Sequence, residues 1–127
     1  MDNDLYCKIY VDTDMTHDQL VKTVARLLAG TVEMNTVAMS NCEIDVRKNE
    51  DFDDIRRKEF PDGFLYFRYY MDVEVLTGQQ RESQVELISN LLKHLWSLGF
   101  PAIASCDFEA ELPQRGGYQS RSVPWMT

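Results

Sequence analysis

Hydrophobic and polar residues alternate along four stretches of the chain, and each alternation predicts a half-buried β-strand. The first two stretches are residues 5–11 and 42–48. The third, residues 64–76, has the longest alternation and follows a Pro-Asp-Gly turn signal. The fourth strand is predicted over residues 102–112, which would place Asp107 and its acidic neighbours on the polar face.

Two other segments have apolar residues at the spacing of an amphipathic helix. The first helix is predicted to begin after Thr16, which has capping-box spacing to Gln19, and to stop at Gly30. The second is predicted over about residues 80–98, with Gly99 as its stop. Its buried side would consist of Val85, Ile88, Leu91, Leu92, Leu95 and Leu98.

The resulting order of elements is β-α-β-β-α-β, which is the order of the ferredoxin-like fold. It predicts an α+β domain over residues 1–112, with a four-stranded antiparallel sheet and both helices on one face. The first and third strands would be central, and the fourth would lie beside the first. Residues 113–127 are predicted to form an irregular C-terminal tail, and the second face of the sheet is expected to be open.

The predicted open face combines aromatic and acidic side chains. Tyr6, Lys8 and Tyr10 of the first strand would lie beside the tyrosines of the third strand. Strand propensity explains some of these aromatics, but an exposed aromatic patch bordered by charge is typical of a contact surface. The predicted partner-binding residues are Tyr66, Arg68, Tyr70, Asp72, Glu74, Asp107, Glu109 and Glu111.

Net charge narrows the class of partner. The chain of 127 residues has a formal net charge of −8, so a nucleic-acid partner, which requires a basic surface, is not expected. An acidic surface suits a basic protein partner instead. No apolar stretch has the length of a membrane span, and the acidic start "MDNDLY" is unlike a signal peptide.

The cysteines indicate a reducing setting. Cys7, Cys42 and Cys106 are odd in number and too far apart for a metal-binding pair, so a cytoplasmic location is expected. Cys7 and Cys106 fall on the core face of adjacent predicted strands, where cysteine packs as a small hydrophobe. A nucleophilic pair of Cys106 with His94 lacks an orienting third group.

The acidic residues do not form a convincing chemical site. The carboxylates of the third and fourth strands are separated by the first strand, and no histidine joins them, so a solvated strand face is favoured over a metal site. The motifs of nucleotide binding, metalloproteases and serine hydrolases are absent from the sequence. We therefore expect no catalytic residue, cofactor or metal.

The second half of the chain resembles a group of small uncharacterised bacterial proteins. The similar parts are the strand "YFRYYMDVEV", the helix end "LLKHLWSLGF" and the segment "AIASCDFEAELPQRGG", within residues 66–117. Small acidic proteins of this kind are similar to immunity proteins, each of which neutralises one bacterial toxin. The resemblance implies a protein partner and carries over no catalytic residue.

These observations lead to one main hypothesis and two others. The main hypothesis is a non-enzymatic, immunity-type inhibitor that docks an acidic, aromatic surface on a basic toxin domain. The alternative is a regulatory domain that forms a homodimer through its sheet and binds a small metabolite. A third hypothesis is a small enzyme that uses Cys106 or the carboxylates.

Overall fold

Over the residues that the structure describes, 5–59, 62–76 and 78–117, the chain forms a six-stranded antiparallel sheet and two α-helices. The structure is a computed structural model. The strands are β1 (Cys7–Val11), β2 (Thr31–Glu33), β3 (Thr36–Ala38), β4 (Cys42–Lys48), β5 (Tyr69–Val75) and β6 (Ala102–Cys106), and the helices are α1 (His17–Leu28) and α2 (Arg81–Ser97). Their order in the sheet is β2-β3-β4-β5-β1-β6.

Both helices pack on one face of the sheet, where they share a single hydrophobic core with the strands. Alternate strand residues and the apolar stripe of each helix enter this core, because each periodicity places most apolar side chains of an element on one side of it. The α+β class is therefore confirmed. Fully buried core residues include Ile9, Leu20, Ile44, Met71, Ile88, Leu91, Leu92, Leu95 and Phe108.

The predicted four-stranded ferredoxin-like sheet is wrong in its number of strands. Residues 31–38 form an extra hairpin, β2 and β3, which extends the sheet beyond β4. Val37 of this hairpin is fully buried in the core, and this explains why the stretch pairs with the sheet. The inner arrangement agrees with the prediction, since β1 lies between β5 and β6.

Helix α1 begins as predicted. The Thr16 hydroxyl accepts from the Gln19 backbone, and the Gln19 side chain accepts from the Thr16 backbone, so the capping box is complete. At the other end, the left-handed residue is Ala29 rather than Gly30. A Cβ on Gly30 would lie 2.6 Å from Cγ1 of Val37, so this glycine allows the hairpin to approach the helix.

Helix α2 is predicted almost to the residue, with one correction. It covers Arg81–Ser97, and Gly99 has the positive φ of 83° that suits a helix stop. Leu98 was expected on the buried side, but it is 47% exposed because it lies beyond the last helical turn.

The third strand is shorter than predicted, because β5 begins at Tyr69 instead of residue 64. Residues 62–66 form a 3₁₀ turn that packs closely on the turn at 56–58. A Cβ on Gly63 would lie 2.8 Å from the carbonyl oxygens of Arg56 and Arg57. Only glycine permits this approach, so the Pro-Asp-Gly signal leads into a second turn rather than into a strand.

The fourth strand is also shorter, because β6 ends at Cys106. The Cys106 backbone N–H donates to Oε2 of Glu109 at 3.0 Å, and residues 109–111 form a 3₁₀ turn. Alternation therefore stops at Cys106. Continued alternation predicts a buried Ala110, but this residue is exposed. Within β6, alternation predicts an exposed Ile103, but this residue is only 3% exposed, and Gly117 packs close to its side chain.

Residues 113–117 are the described part of the predicted tail, and they pack against the outer edge of β6. A Cβ on Gly116 would lie 2.9 Å from the Ala104 carbonyl oxygen, so this turn and the strand are in close contact. The sequence also predicts that Trp125 holds the tail against the domain, but this residue lies outside the described ranges. Among the described residues, neither helix has the length and apolar content needed to cross a lipid bilayer.

Candidate functional site

The structure divides the predicted partner-binding residues among three places. Tyr70, Asp72 and Glu74 are on β5, on the sheet face opposite the helices, and Tyr66 borders this face from the 62–66 turn. Arg68 lies instead above the ring of Phe52, with its guanidinium 4.4 Å from the ring centre. The residues that leave the face altogether are Asp107, Glu109 and Glu111.

The three carboxylates after β6 are therefore not an acidic strand face, and this corrects the prediction for them. Glu109 accepts from the Cys106 backbone, and Glu111 forms an ion pair with Arg81 at the start of α2. Asp107 is exposed in the turn that directly follows β6. Two of these three acids thus have structural partners within the chain.

The open face is nevertheless acidic, with carboxylates from other strands. Cross-strand register places Asp45 opposite Asp72 and Glu43 opposite Glu74. Glu33 extends this row to the edge, because its partner Thr36 is also the partner of Asp45. We call this set the acidic strip; its members are Glu33, Glu43, Asp45, Asp72 and Glu74.

One part of the acidic strip is neutralised within the chain. Nε of Arg47 donates to Asp72 at 3.0 Å, and Nη2 of the same arginine is 3.4 Å from Asp45. The Tyr6 hydroxyl donates to the other oxygen of Asp72. Burial, reinforced by this hydrogen bond and the charge of Asp72, raises the pKa of Tyr6 well above its ordinary value.

Glu43 and Glu74 are two members of the acidic strip that are not neutralised. They are directly opposite on β4 and β5, and both are exposed. Neither forms an ion pair with a residue in the described part of the chain. Like charges in directly opposite positions destabilise a sheet, so the free protein retains an unfavourable contact on this face.

We expect Glu74→Gln and Glu43→Gln each to stabilise the protein, because each removes this repulsion. The free energy of unfolding should rise by about 0.3 kcal/mol, and the gain should shrink in concentrated salt, which screens exposed charges. Urea unfolding at low and high NaCl concentration measures both effects. Glu82→Gln, in the exposed first turn of α2, is the control for net charge; an equal gain there would contradict the pairwise explanation.

Next to the acidic strip is a cluster of aromatic residues around a lysine. The ring centres of Tyr10 and Phe64 are 5.1 Å apart in an edge-to-face contact. Nζ of Lys8 lies 4.9 Å from the ring centre of Tyr10 and 4.3 Å from that of Tyr70. We call Tyr10, Phe64, Tyr66 and Tyr70 the aromatic cluster. Its rings hold the lysine amine by cation–π attraction.

A pocket of about 420 Å³ opens beside the aromatic cluster. Lys8 and Arg56 supply two cations to its lining, and Asp51 supplies one carboxylate. Nη1 of Arg56 donates to the Tyr66 hydroxyl at 3.0 Å, and this bond fixes one wall. The face therefore changes from negative at the strip to positive at the pocket.

Glu33, Glu43 and Asp45 are members of the acidic strip that are not among the predicted partner-binding residues. The alternation over residues 42–48 assigned Glu43, Asp45 and Arg47 to the polar face, and the structure confirms that assignment. The acidic end of the face was predicted from the third and fourth strands alone, whereas in the structure β4 lies beside β5 and contributes its own carboxylates. Glu33 gave no comparable signal, since the hairpin at 31–38 was not predicted.

The geometry bears on two chemical alternatives, a metal site and a nucleophilic pair of Cys106 with His94. Among the described residues, no group of three or more His, Cys, Asp and Glu side chains is arranged to hold a metal ion. Cys106 lies near Arg81 in the first turn of α2, whereas His94 is in the last turn. Thirteen residues of helix separate these turns by roughly 20 Å, so a Cys106–His94 pair is ruled out.

Comparison with known proteins finds no match for this chain. No family model matches it, and no curated protein or solved structure is significantly similar to it. What the chain does must therefore be inferred from its own residues and their geometry.

Proposed function

We propose that this chain is a non-enzymatic protein-binding module that docks the open face of its sheet on a basic protein surface. The observation that carries the proposal is the opposed pair Glu43 and Glu74, which lacks a described cation and lies beside half-buried aromatic residues. A lysine or arginine of a partner, placed between these two carboxylates, would turn a repulsion into two attractions.

The acidic strip and the aromatic cluster have complementary roles in this proposal. Tyrosines supply large contact areas at low entropic cost and are enriched at the centres of interfaces. Charges such as those of the acidic strip speed association and select a partner of opposite sign. Together they favour a basic protein over a nucleic acid, whose phosphates the strip would repel.

The partner class that we propose is a toxin domain with a basic active site, which makes the chain an immunity-type inhibitor. An acidic strip of this kind fits such a site by charge complementarity. The net charge of −8 acts in the same direction over longer distances. The setting that we propose is the cytoplasm, where an immunity protein meets a toxin that acts inside the cell.

The proposal is tested with Glu43→Lys/Glu74→Lys, which reverses the unpaired carboxylates. We expect the wild-type chain, immobilised and exposed to lysate of its source cells, to retain a basic protein. The double variant should bind this protein at least 100-fold more weakly, which corresponds to about 3 kcal/mol. Titration of the purified partner by calorimetry gives the two dissociation constants.

The matched control is Glu82→Lys/Glu86→Lys on the exposed side of α2. It changes the net charge equally but lies on the helical side of the molecule, so it should retain nearly full affinity. Equal losses in the two double variants would mean that only net charge matters, and the assigned face would be wrong.

A growth assay separates immunity from other kinds of binding. The retained protein, expressed alone, should arrest bacterial growth, and coexpression of the wild-type chain should restore growth. Glu43→Lys/Glu74→Lys should fail to restore it. A partner that is harmless when expressed alone would contradict the immunity role and leave the docking face in place.

The second candidate is a regulatory domain that forms a homodimer and binds a small anionic metabolite. The pocket of about 420 Å³, with Lys8 and Arg56 in its lining, favours this function. In this case the open face would be occupied by a second copy of the chain. Light scattering on the purified protein distinguishes the two candidates, because the docking proposal requires a monomer with a free face.

A further inference from the structure

Cys7 and Cys106 are directly opposite each other on the adjacent antiparallel strands β1 and β6. Residues in such positions have Cα atoms about 4.5–5.5 Å apart, which is within the range that a disulfide can bridge. Both are free thiols in the structure; the Cys7 sulfur lies 3.9 Å from the Lys8 carbonyl oxygen and is close enough to the Cys106 sulfur for each thiol to shift the pKa of the other. The pair can therefore be joined without a change in strand pairing.

The two thiols have different surroundings. Cys7 is fully buried. Its contact with Cys106, together with burial, raises the pKa of the Cys7 thiol well above the ordinary value. Cys106 is partly exposed at the end of its strand. The interaction with the Cys7 thiol, helped by the Phe108 backbone N–H, lowers the pKa of Cys106 against the opposing effect of burial.

A cation also lies near the more accessible sulfur. The guanidinium of Arg81, whose main partner is Glu111, is within electrostatic range of Cys106. The carboxylates of Glu109 and Asp107 are also in range, and their charges oppose the thiolate form of Cys106. Thiols that are accessible, close to a cation and next to a second cysteine have the features of redox-sensitive sites. Cys42 provides the contrast, because it is buried on β4, and β5 separates its strand from β1.

We propose that Cys106 and Cys7 are a peroxide-responsive thiol pair that closes into a disulfide between β6 and β1. The Cys106 thiolate attacks one oxygen of hydrogen peroxide, the O–O bond breaks, and the departing hydroxide takes a proton to form water. The Cys7 sulfur then attacks the Cys106 sulfenic acid. The S–O bond breaks, and the second hydroxide leaves as water with the proton of Cys7. Two thiols and one peroxide thus give one disulfide and two waters.

The disulfide would fix the edge strand β6, and the turns that follow it, to the centre of the sheet. It would also join residues that are far apart in sequence, which restricts the unfolded chain strongly. We expect the oxidised protein to melt at least about 5 °C above the reduced protein. This proposal does not depend on the docking proposal, because its tests need no partner.

The first test is peptide mapping of the wild-type chain. The fully reduced protein is treated with equimolar hydrogen peroxide, its remaining thiols are alkylated, and its peptides are identified by mass spectrometry. We expect a Cys7–Cys106 linked peptide, an alkylated Cys42, and full reversal by dithiothreitol. Two results would overturn the proposal. One is a Cys106 sulfinic acid together with a Cys7 that remains a free thiol and is therefore alkylated; the other is a disulfide that includes Cys42.

Variants then assign the roles of the two cysteines. In Cys7→Ala, Cys106 should remain as a sulfenic acid that dimedone traps, whereas Cys106→Ala should leave Cys7 unreactive. Cys42→Ala is the matched control and should oxidise as the wild type does. Trapping at Cys7 in Cys106→Ala would reverse the roles and contradict the assignment.

Arg81→Gln tests the contribution of the nearby cation. We expect peroxide to react with Cys106 several-fold more slowly in this variant, with circular dichroism unchanged. We also measure the rate at which Cys106 of the wild type is alkylated as a function of pH. This rate should reach half of its maximum at a pH below 9.0, the ordinary value of the thiol pKa. An alkylation midpoint at or above that pH would show that Cys106 is not activated.

Discussion

Asp12→Ala should lower the free energy of unfolding by about 3 kcal/mol, because it removes one of the two carboxylates that pair with the mostly buried Arg57 and leaves a backbone N–H without its acceptor. Oδ2 of Asp12 is 2.7 Å from Nη1 of Arg57, and the two side chains are 10% and 20% exposed. Oδ1 of the same aspartate accepts from the backbone N–H of Arg68 at 3.0 Å. One carboxylate at the end of β1 thus holds two points of the connection between β4 and β5.

Urea unfolding at neutral pH measures this effect, and two variants define its origin. Asp12→Asn keeps an acceptor for the Arg68 backbone but loses the charge, so it should cost less than Asp12→Ala. Asp51→Ala removes an exposed carboxylate from the same connection and should change stability by less than about 0.5 kcal/mol. A loss below about 1 kcal/mol for Asp12→Ala would contradict a buried ion pair.

Limited proteolysis reports whether the same contact holds the connection in place. Arg56, Arg57 and Lys58 are trypsin sites within a 3₁₀ turn that Asp12 fixes through Arg57. We expect trypsin to cleave these sites faster in Asp12→Ala than in Asp51→Ala under native conditions. Loss of the Asp12 contact should also loosen the pocket beside the aromatic cluster, because Arg56 and Tyr66 line this pocket.

The elements with many consecutive periodic residues were predictable from the sequence. The alternation over residues 42–48 gave β4 with its correct faces, and the capping residues gave the start of α1. Within these segments each local preference agrees with burial in the core, so periodicity and tertiary packing favour the same structure.

Errors arose where tertiary contacts interrupt a periodic pattern. Residues 64–68 continue the alternation of β5, but the contact of Gly63 with the turn at 56–58 leads the chain into a 3₁₀ turn. The hairpin at 31–38 was missed because each of its strands has three residues, too few for a periodic signal. Its stability depends on Val37 in the core, and this contact is not visible in the local sequence.

The candidate site was partly predictable for the same reasons. Tyr70, Asp72 and Glu74 were placed correctly on the open face because they lie within the regular part of β5. Asp107, Glu109 and Glu111 were misplaced because side-chain bonds end β6 at Cys106 and start a turn there. Acidic residues at every second position therefore have two explanations, a strand face or a polar turn, and only the partners of each carboxylate distinguish them.

Two substitutions distinguish a strand face from a polar turn at residues 107–111. One of them should have the second large effect on stability that we expect. Phe108 is 1% exposed and belongs to the core. Phe108→Ala should therefore lower the free energy of unfolding by about 3–5 kcal/mol. Ala110 is exposed in the 3₁₀ turn, so Ala110→Glu should change stability by less than about 0.5 kcal/mol.

The decisive comparison is between the changes in the free energy of unfolding at positions 108 and 110. A continuous strand over residues 102–112 would direct Phe108 and Ala110 to the same buried face, and Ala110→Glu would then bury an unpaired charge at a cost of several kcal/mol. A turn that begins after Cys106 buries Phe108 and exposes Ala110. Urea unfolding of the two single variants should thus show one large loss and one negligible change, because the burial of Phe108 depends on the turn and not on strand alternation.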